Sequence, residues 1–160
     1  MHLVMVRHGE QDYTFTEGRG FPGPARELAP LTERGVAQAE AVAQDPRLKG
    51  CQLIVSSPYT RALQTAAVIS RRLDLPIEVV FDLHEWLIDT QYKNRDFTDT
   101  LAAIEEASRL KGVRTPEAKL NWEGYEQVAR RAASALLPYF RYEKIIVVSH
   151  GYVIKQFHNP

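Results

Sequence analysis

The segment Leu3-Val4-Met5-Val6-Arg7-His8-Gly9-Glu10 decides how this chain is read. A short apolar run, half of it β-branched, leads straight into an Arg-His pair. Such a run suits a strand buried on both faces and is too short for a helix. The same grammar recurs twice. Residues 53–55 lead into Ser56-Ser57-Pro58-Tyr59-Thr60-Arg61, and residues 145–148 lead into Ser149-His150-Gly151. A fourth strand is expected over residues 77–81, introduced by Pro76.

Helical patterns lie between these runs. Thr32, preceded by Leu31, suits an N-cap, and Val36, Ala39, Val42 and Ala43 follow it as an apolar stripe that ends before Pro46. A second helix is expected over residues 60–73, with Leu63, Ala66, Ala67 and Ile69 facing inward. A third is expected over residues 125–140, with Val128, Ala132, Ala135 and Leu136 on one side and Pro138 disturbing its last turn. Strands alternating with helices predict a three-layer α/β/α fold with a mostly parallel central sheet. Residues 10–30, rich in Gly and Pro, read as a long loop of the kind that often carries function. Residues 86–122 read as an insertion with a helix over 98–110 and a turn at 112–116. The length of 160 residues fits one domain spanning residues 1–160.

Charge and cysteine content narrow the function classes. Lys plus Arg number 20 and Asp plus Glu number 20, so nothing suggests a nucleic-acid surface or a basic membrane stripe. Cys51 is the only cysteine, which excludes an intramolecular disulfide and favours a small buried thiol over a reactive one. The apolar N-terminus is one strand long, too short for a signal peptide or a membrane span, and a cytoplasmic protein is the default.

Chemistry is expected beyond the carboxyl ends of the strands, where open parallel sheets bind ligands. Three such ends deliver Arg7, His8, Arg61 and His150. A guanidinium grips a phosphate bidentately and keeps its charge at any working pH. An imidazole nitrogen free of its proton can attack phosphorus. Groups fixed on strand ends supply positioning and charge stabilisation, the main needs of phosphoryl transfer. Two histidines could also bind a metal, but a shell dominated by Arg argues against it, and no metal is expected. Taken alone, Arg61 would read as a solvated helix residue, whereas the Arg-His-Gly context of His8 after a buried strand outweighs its reading as a surface histidine.

Arg7-His8-Gly9-Glu10 resembles the opening motif of the histidine phosphatase superfamily, the group that includes cofactor-dependent phosphoglycerate mutase. The likeness continues through Leu31-Thr32-Glu33-Arg34-Gly35-Val36-Ala37-Gln38-Ala39, then Ser56-Ser57-Pro58-Tyr59-Thr60-Arg61-Ala62-Leu63-Gln64-Thr65-Ala66, then Ser149-His150-Gly151. The resemblance implies a phosphoglycerate mutase-like fold and a phosphatase that passes through a phosphohistidine on His8. Arg7, Arg61 and His150 would complete the phosphate pocket. Glu85, in Leu83-His84-Glu85-Trp86, would match the family's proton donor, with Asp82, Asp89 and Glu10 as alternatives. No metal or organic cofactor is needed by this scheme, and the partner would be a phosphorylated small molecule.

Three departures stand out. Thr14 occupies the position where many relatives carry an Asn that contacts the phosphate. The segment Trp86-Leu87-Ile88-Asp89-Thr90-Gln91-Tyr92 does not match the mutases. The chain also ends at Pro160, soon after His150, where relatives continue through a helix and a strand, so a shortened C-terminus or a reduced fold is expected. Gln91, Tyr92, Lys93 and Arg95 are candidate substrate contacts, with a solvated surface turn as the competing reading. Mutase-type phosphotransfer, phosphohistidine phosphatase activity and a non-catalytic phospholigand-binding module remain as alternatives. The oligomeric state is not readable from the sequence.

Overall fold

The computed structural model describes residues 1–21, 23–94 and 96–158. Its strands are β1 (His2–Arg7), β2 (Ile54–Ser56), β3 (Ile77–Val79) and β4 (Lys144–Ser149). All pair in parallel, in the order β1-β4-β2-β3. The central strand β4 shows why this is a three-layer fold. Ile145 and Val147 point into one apolar cluster, and Ile146 and Val148 point into another on the opposite face. A strand covered on both sides needs no polar alternation, hence the unbroken apolar run.

The long first loop carries a short helix, α1 (Thr14–Glu17). Helices α2 (Glu33–Val42) and α3 (Thr60–Leu73) cover one face; Ala62, Ala66 and Ile69 of α3 pack there against Ile54, Ile146 and Val148. Helices α4 (Phe97–Arg109), α5 (Tyr125–Leu136) and α6 (Gly151–Gln156) cover the other, through Ala103, Ala107, Val128, Ala132, Leu136 and Val153. Thr32 caps α2 as expected, its hydroxyl accepting from the Gly35 N–H at 2.9 Å. Among the described residues, no helix is long and apolar enough to cross a membrane.

Several local expectations need correction. The buried face of α3 is Arg61, Ala62, Thr65, Ala66 and Ile69, while Leu63 is half-buried and Ala67 exposed. The helix is turned so that two polar residues face inward, and Thr65 is satisfied there by donating to the Arg61 carbonyl at 2.8 Å. On α2, Val36 is exposed and Gly35 lies inward, because the turn after His8 lies flat on this helix. A Cβ on Gly9 would collide with the Gly35 carbonyl, and one on Gly35 with the Glu10 carbonyl. The strand expected over residues 77–81 stops at Val79, and a 3₁₀ turn, Phe81–Leu83, follows. The third helix ends at Leu136 and tightens into a 3₁₀ turn, Leu137–Arg141, where Pro138 lacks an N–H. The loop over residues 10–30 is partly ordered by α1 and by a 3₁₀ turn, Gly23–Leu28.

Register sets up the site. Arg7 pairs with Ser149, and Ser56 with Val148, so β1, β4 and β2 end side by side. His8, His150 and Ser57 are the next residues on each strand. The His8 N–H donates to the Ser149 carbonyl at 3.1 Å, and the Ser57 N–H to the Val148 carbonyl at 2.9 Å.

Candidate active site

His8 is buried and held in one tautomer. Its Nδ1 lies 2.7 Å from the Gly9 carbonyl oxygen, which can only accept, so Nδ1 carries the proton. Nε2 is left with its lone pair, and the Arg61 Nε–H donates to it at 3.2 Å. The turn is fixed from behind, where the Gly9 N–H donates to the Thr65 hydroxyl at 3.1 Å.

His150 is fully buried, its ring centroid 5.0 Å from that of His8. Its Nε2 lies 2.7 Å from the Ser57 hydroxyl. That hydroxyl also accepts from the Tyr59 N–H at 3.3 Å. The other ring nitrogen of His150, Nδ1, is a buried atom without a hydrogen-bond partner among the described residues. Buried polar atoms are seldom left unpaired, and with the Ser57 hydroxyl donating to Nε2 the ring proton would sit on Nδ1, where it suits an incoming anion.

Arg61 is almost completely buried, and its Nη1 meets Glu27 Oε2 at 2.5 Å. Burial works against its charge, but Glu27 and Tyr13 more than offset this and hold its pKa above the ordinary value. Arg7 is exposed, and its guanidinium lies beside Gly151, where an added Cβ would come within 3.8 Å of it. Burial, then the charge of Arg61 and to a smaller extent that of Arg7, pushes the His8 pKa down to about 4. Burial and the Arg61 charge likewise hold His150 well below the usual histidine range. Both rings are therefore neutral near pH 7.

Glu85 follows the Phe81–Leu83 turn. Its carboxylate oxygens accept from the Trp86 N–H at 2.8 Å and the Tyr152 N–H at 3.4 Å. Burial pushes its pKa up against these bonds. The competing acids are placed less well. Glu10 pairs with Arg34 at 3.5 Å and Asp82 is exposed. Asp89 accepts from the Gln91 and Lys93 N–H groups at 2.9 and 2.6 Å and organises a turn. His84 is buried against Tyr59 and Phe81 and faces away from the cavity that Glu85 lines.

A cavity of about 170 Å³ is lined by Tyr13, Tyr59, Arg61, Glu85, Trp86 and Tyr152, among others. His8 lines a more open depression of about 460 Å³ with Arg7, Gly9 and Thr65. The His8–Arg61 contact thus joins a residue that lines one space to a residue that lines the other.

Not every expected residue arrives here. Thr14 is exposed, and its hydroxyl donates to Asp12 Oδ1 at 2.5 Å; it begins α1, and its neighbour Tyr13 is the one that turns to the cavity. Thr14 is not among the residues that line either space. Of the four candidate substrate contacts, Tyr92 lines the cavity, Gln91 is exposed, and Lys93 lines a separate depression with Asp99 and Lys119. Arg95 lies outside the described residues. Sequence reasoning missed Glu27, which sits in a loop without periodicity or motif. It also missed Arg131 of α5. That guanidinium donates to the carbonyls of Asp82, His84 and Glu85 and pairs with the buried Glu123, fixing the segment that carries Glu85.

Comparison with known proteins agrees with this arrangement. The family model of the histidine phosphatase superfamily (branch 1) matches residues 3–159. A Yersinia pestis protein named "Probable phosphoglycerate mutase GpmB" is 32% identical over 160 aligned residues, covering 94% of this chain and 70% of that protein. The solved alpha-ribazole phosphatase from Shigella flexneri is 26% identical with a TM-score of 0.68, covering 96% of this chain and 76% of the other. The native mycobacterial glucosyl-3-phosphoglycerate phosphatase is 26% identical with a TM-score of 0.71, covering 98% and 76%. With its three parallel strand ends, its two neutral histidines and a family model that spans nearly its whole length, the chain belongs to the histidine phosphatase superfamily.

Proposed function

We propose that the protein is a phosphomonoesterase that works through a phosphohistidine on His8. The observation that carries this reading is the unprotonated Nε2 of His8, beside Arg61 and across from the unpartnered Nδ1–H of His150. In the first step Nε2 attacks phosphorus and the bond from phosphorus to the alcohol oxygen breaks. Glu85 gives its proton to that leaving oxygen. Arg7, Arg61 and the His150 Nδ1–H hold the remaining phosphoryl oxygens. In the second step Glu85 takes a proton from water, the resulting hydroxide attacks phosphorus, and the N–P bond breaks. Inorganic phosphate leaves and His8 is neutral again. Positioning and fixed charge carry both steps, and the scheme calls on no metal or organic cofactor.

The substrate class is a phosphorylated small molecule, in line with the substrates for which the solved relatives are named. We read residues 1–160 as one domain in which 86–122 is an insertion beside the site. A cytoplasmic location is supported by the lone Cys51, which leaves no intramolecular disulfide to form. Phosphotransfer between positions of a sugar acid is the second reading, favoured by the naming of the mutase relatives.

Release of p-nitrophenol from p-nitrophenyl phosphate in excess EDTA tests the primary reading. Wild type is expected to turn over and His8→Ala to lose all but background; full activity in the variant would sink the role of His8. Glu85→Gln is expected to slow alkyl phosphates by roughly two to four orders of magnitude, the usual scale for a general acid, and aryl phosphates far less. Equal losses on both would remove Glu85 as the proton donor. The pH profile of kcat/KM, corrected for substrate ionisation, should rise with a midpoint near pH 4, because His8 is free of its second proton above that value. It should fall again only above the usual carboxyl range, where Glu85 loses its proton. An acid limb centred at the ordinary histidine value would mean that His8 is solvated.

A further inference from the structure

The cavity beside Arg61 is lined by Tyr59 and Arg61 of the second motif and, beyond the motifs, by residues of two irregular segments, among them Tyr13, Arg26 and Glu27 of one and Trp86, Tyr92 and Phe97 of the other. The Gly23 N–H donates to the Asn94 carbonyl at 2.9 Å, and Gly23 has φ +54° with the Tyr92 carbonyl where a Cβ would go. Arg26 Nη1 donates to the Thr100 hydroxyl at 3.0 Å. Tyr92 is itself held at φ +56° by the Asp89 turn, an uncommon conformation for a side chain of its size. These contacts brace the mouth of the cavity.

Aromatic side chains supply a third of the lining residues. Tyr13, Tyr59, Tyr92, Phe97 and Tyr152 surround the space, and Trp86 lies with its ring centroid 4.8 Å from that of Tyr152. Tyr92 and Phe97 remain 44% and 54% exposed, a cost to leave in water unless something packs on them. The size suits one ring: an apolar cavity of ~150 Å³ is enough to hold benzene, against about 170 Å³ here.

The charges present oppose a second anion. Among the described lining residues the guanidinium groups are Arg61, paired with Glu27, and Arg26, paired with Glu17 at 2.8 Å. The carboxyl groups of Glu27 and Glu85 face the same space. Arg26 Nε is buried and lacks a hydrogen-bond partner, which provides one donor for a neutral oxygen or nitrogen on the ligand.

We propose that this cavity takes the alcohol half of the substrate as a flat, uncharged aromatic group, so that the preferred substrate is a phosphate monoester with an aromatic alcohol and no second anionic group. The proposal rests on the phosphatase reading for its chemistry, but its selectivity is measurable apart from turnover.

Three monoesters of primary alcohols separate the possibilities: phenethyl phosphate, propyl phosphate and phosphoglycerate. The expected kcat/KM order is phenethyl over propyl by about tenfold or more, with phosphoglycerate slowest. In Phe97→Ala, at an exposed position that starts α4, the phenethyl-to-propyl ratio is expected to fall about tenfold, the scale of one lost aromatic contact. A preference for phosphoglycerate, or an unchanged ratio in Phe97→Ala, would overturn the proposal and leave the phosphatase reading intact. Calorimetric binding of phenethylphosphonate and phosphonopropionate to the wild type needs no turnover. If no ester is hydrolysed, the hydrolytic reading falls and this ranking alone decides. Phenethylphosphonate binding about tenfold tighter supports the aromatic subsite, and phosphonopropionate binding equally or more tightly refutes it.

Discussion

A guanidinium removed from water has to be paired, and Arg61 is paired on two sides that mean different things. Glu27 neutralises its charge, and His8 receives its Nε–H. An unpaired buried charge would cost several kcal/mol, so the loop that carries Glu27 and the turn that carries His8 are tied to the same helix position. Under the proposed mechanism, a phosphate entering the site would supply the negative charge that Glu27 supplies at rest and would give Arg61 Nε an acceptor other than the His8 nitrogen. The resting contacts would then keep the pocket assembled while they occupy the groups that substrate is to use.

That arrangement depends on the sheet. Pairing of β1 with β4 and of β4 with β2 puts three chain exits beside one another, and each exit carries a group that the chemistry needs. Rigid strand ends suit this task, since misplacement of a nucleophile or a donor by about 1 Å can cost about a hundredfold in rate. The acid arrives differently. Glu85 sits on an irregular segment, and the order of that segment comes from Arg131, which gathers three successive-region carbonyls and Glu123 around one guanidinium. The proposed reacting groups are thus fixed by the sheet, and the proposed proton donor by a helix residue reaching across to a loop.

Legibility in the sequence followed the same division. The buried strands declared themselves because a strand covered on both faces has no reason to alternate, and the candidate site residues were read by asking what came after each strand. The order β1-β4-β2-β3 could not be read that way, because nothing in a run of apolar residues names its partner. The rotation of α3 was misjudged for a physical reason. Hydrophobic periodicity points to Leu63 and Ala67, whereas the helix buries Arg61 and Thr65 because the site supplies their partners. Thr14 was placed by position in a motif, and a single helical turn starting there sends its hydroxyl to Asp12 instead. Glu27, Arg131 and the aromatic cavity depend on long-range contacts between irregular segments, which leave no periodic trace.

The site as a whole holds a histidine kept neutral by burial and positive charge and a carboxyl group whose pKa burial pushes up, the two groups to which the proposal gives the roles of nucleophile and acid. That combination favours two displacements at phosphorus over direct attack by water, and stereochemistry separates the two. The decisive measurement is the configuration of the product from a phosphorothioate monoester made chiral at phosphorus with oxygen isotopes and hydrolysed in isotopically labelled water. Two in-line displacements through phospho-His8 predict net retention of configuration. Net inversion would mean one direct displacement by water and would contradict the phosphohistidine intermediate.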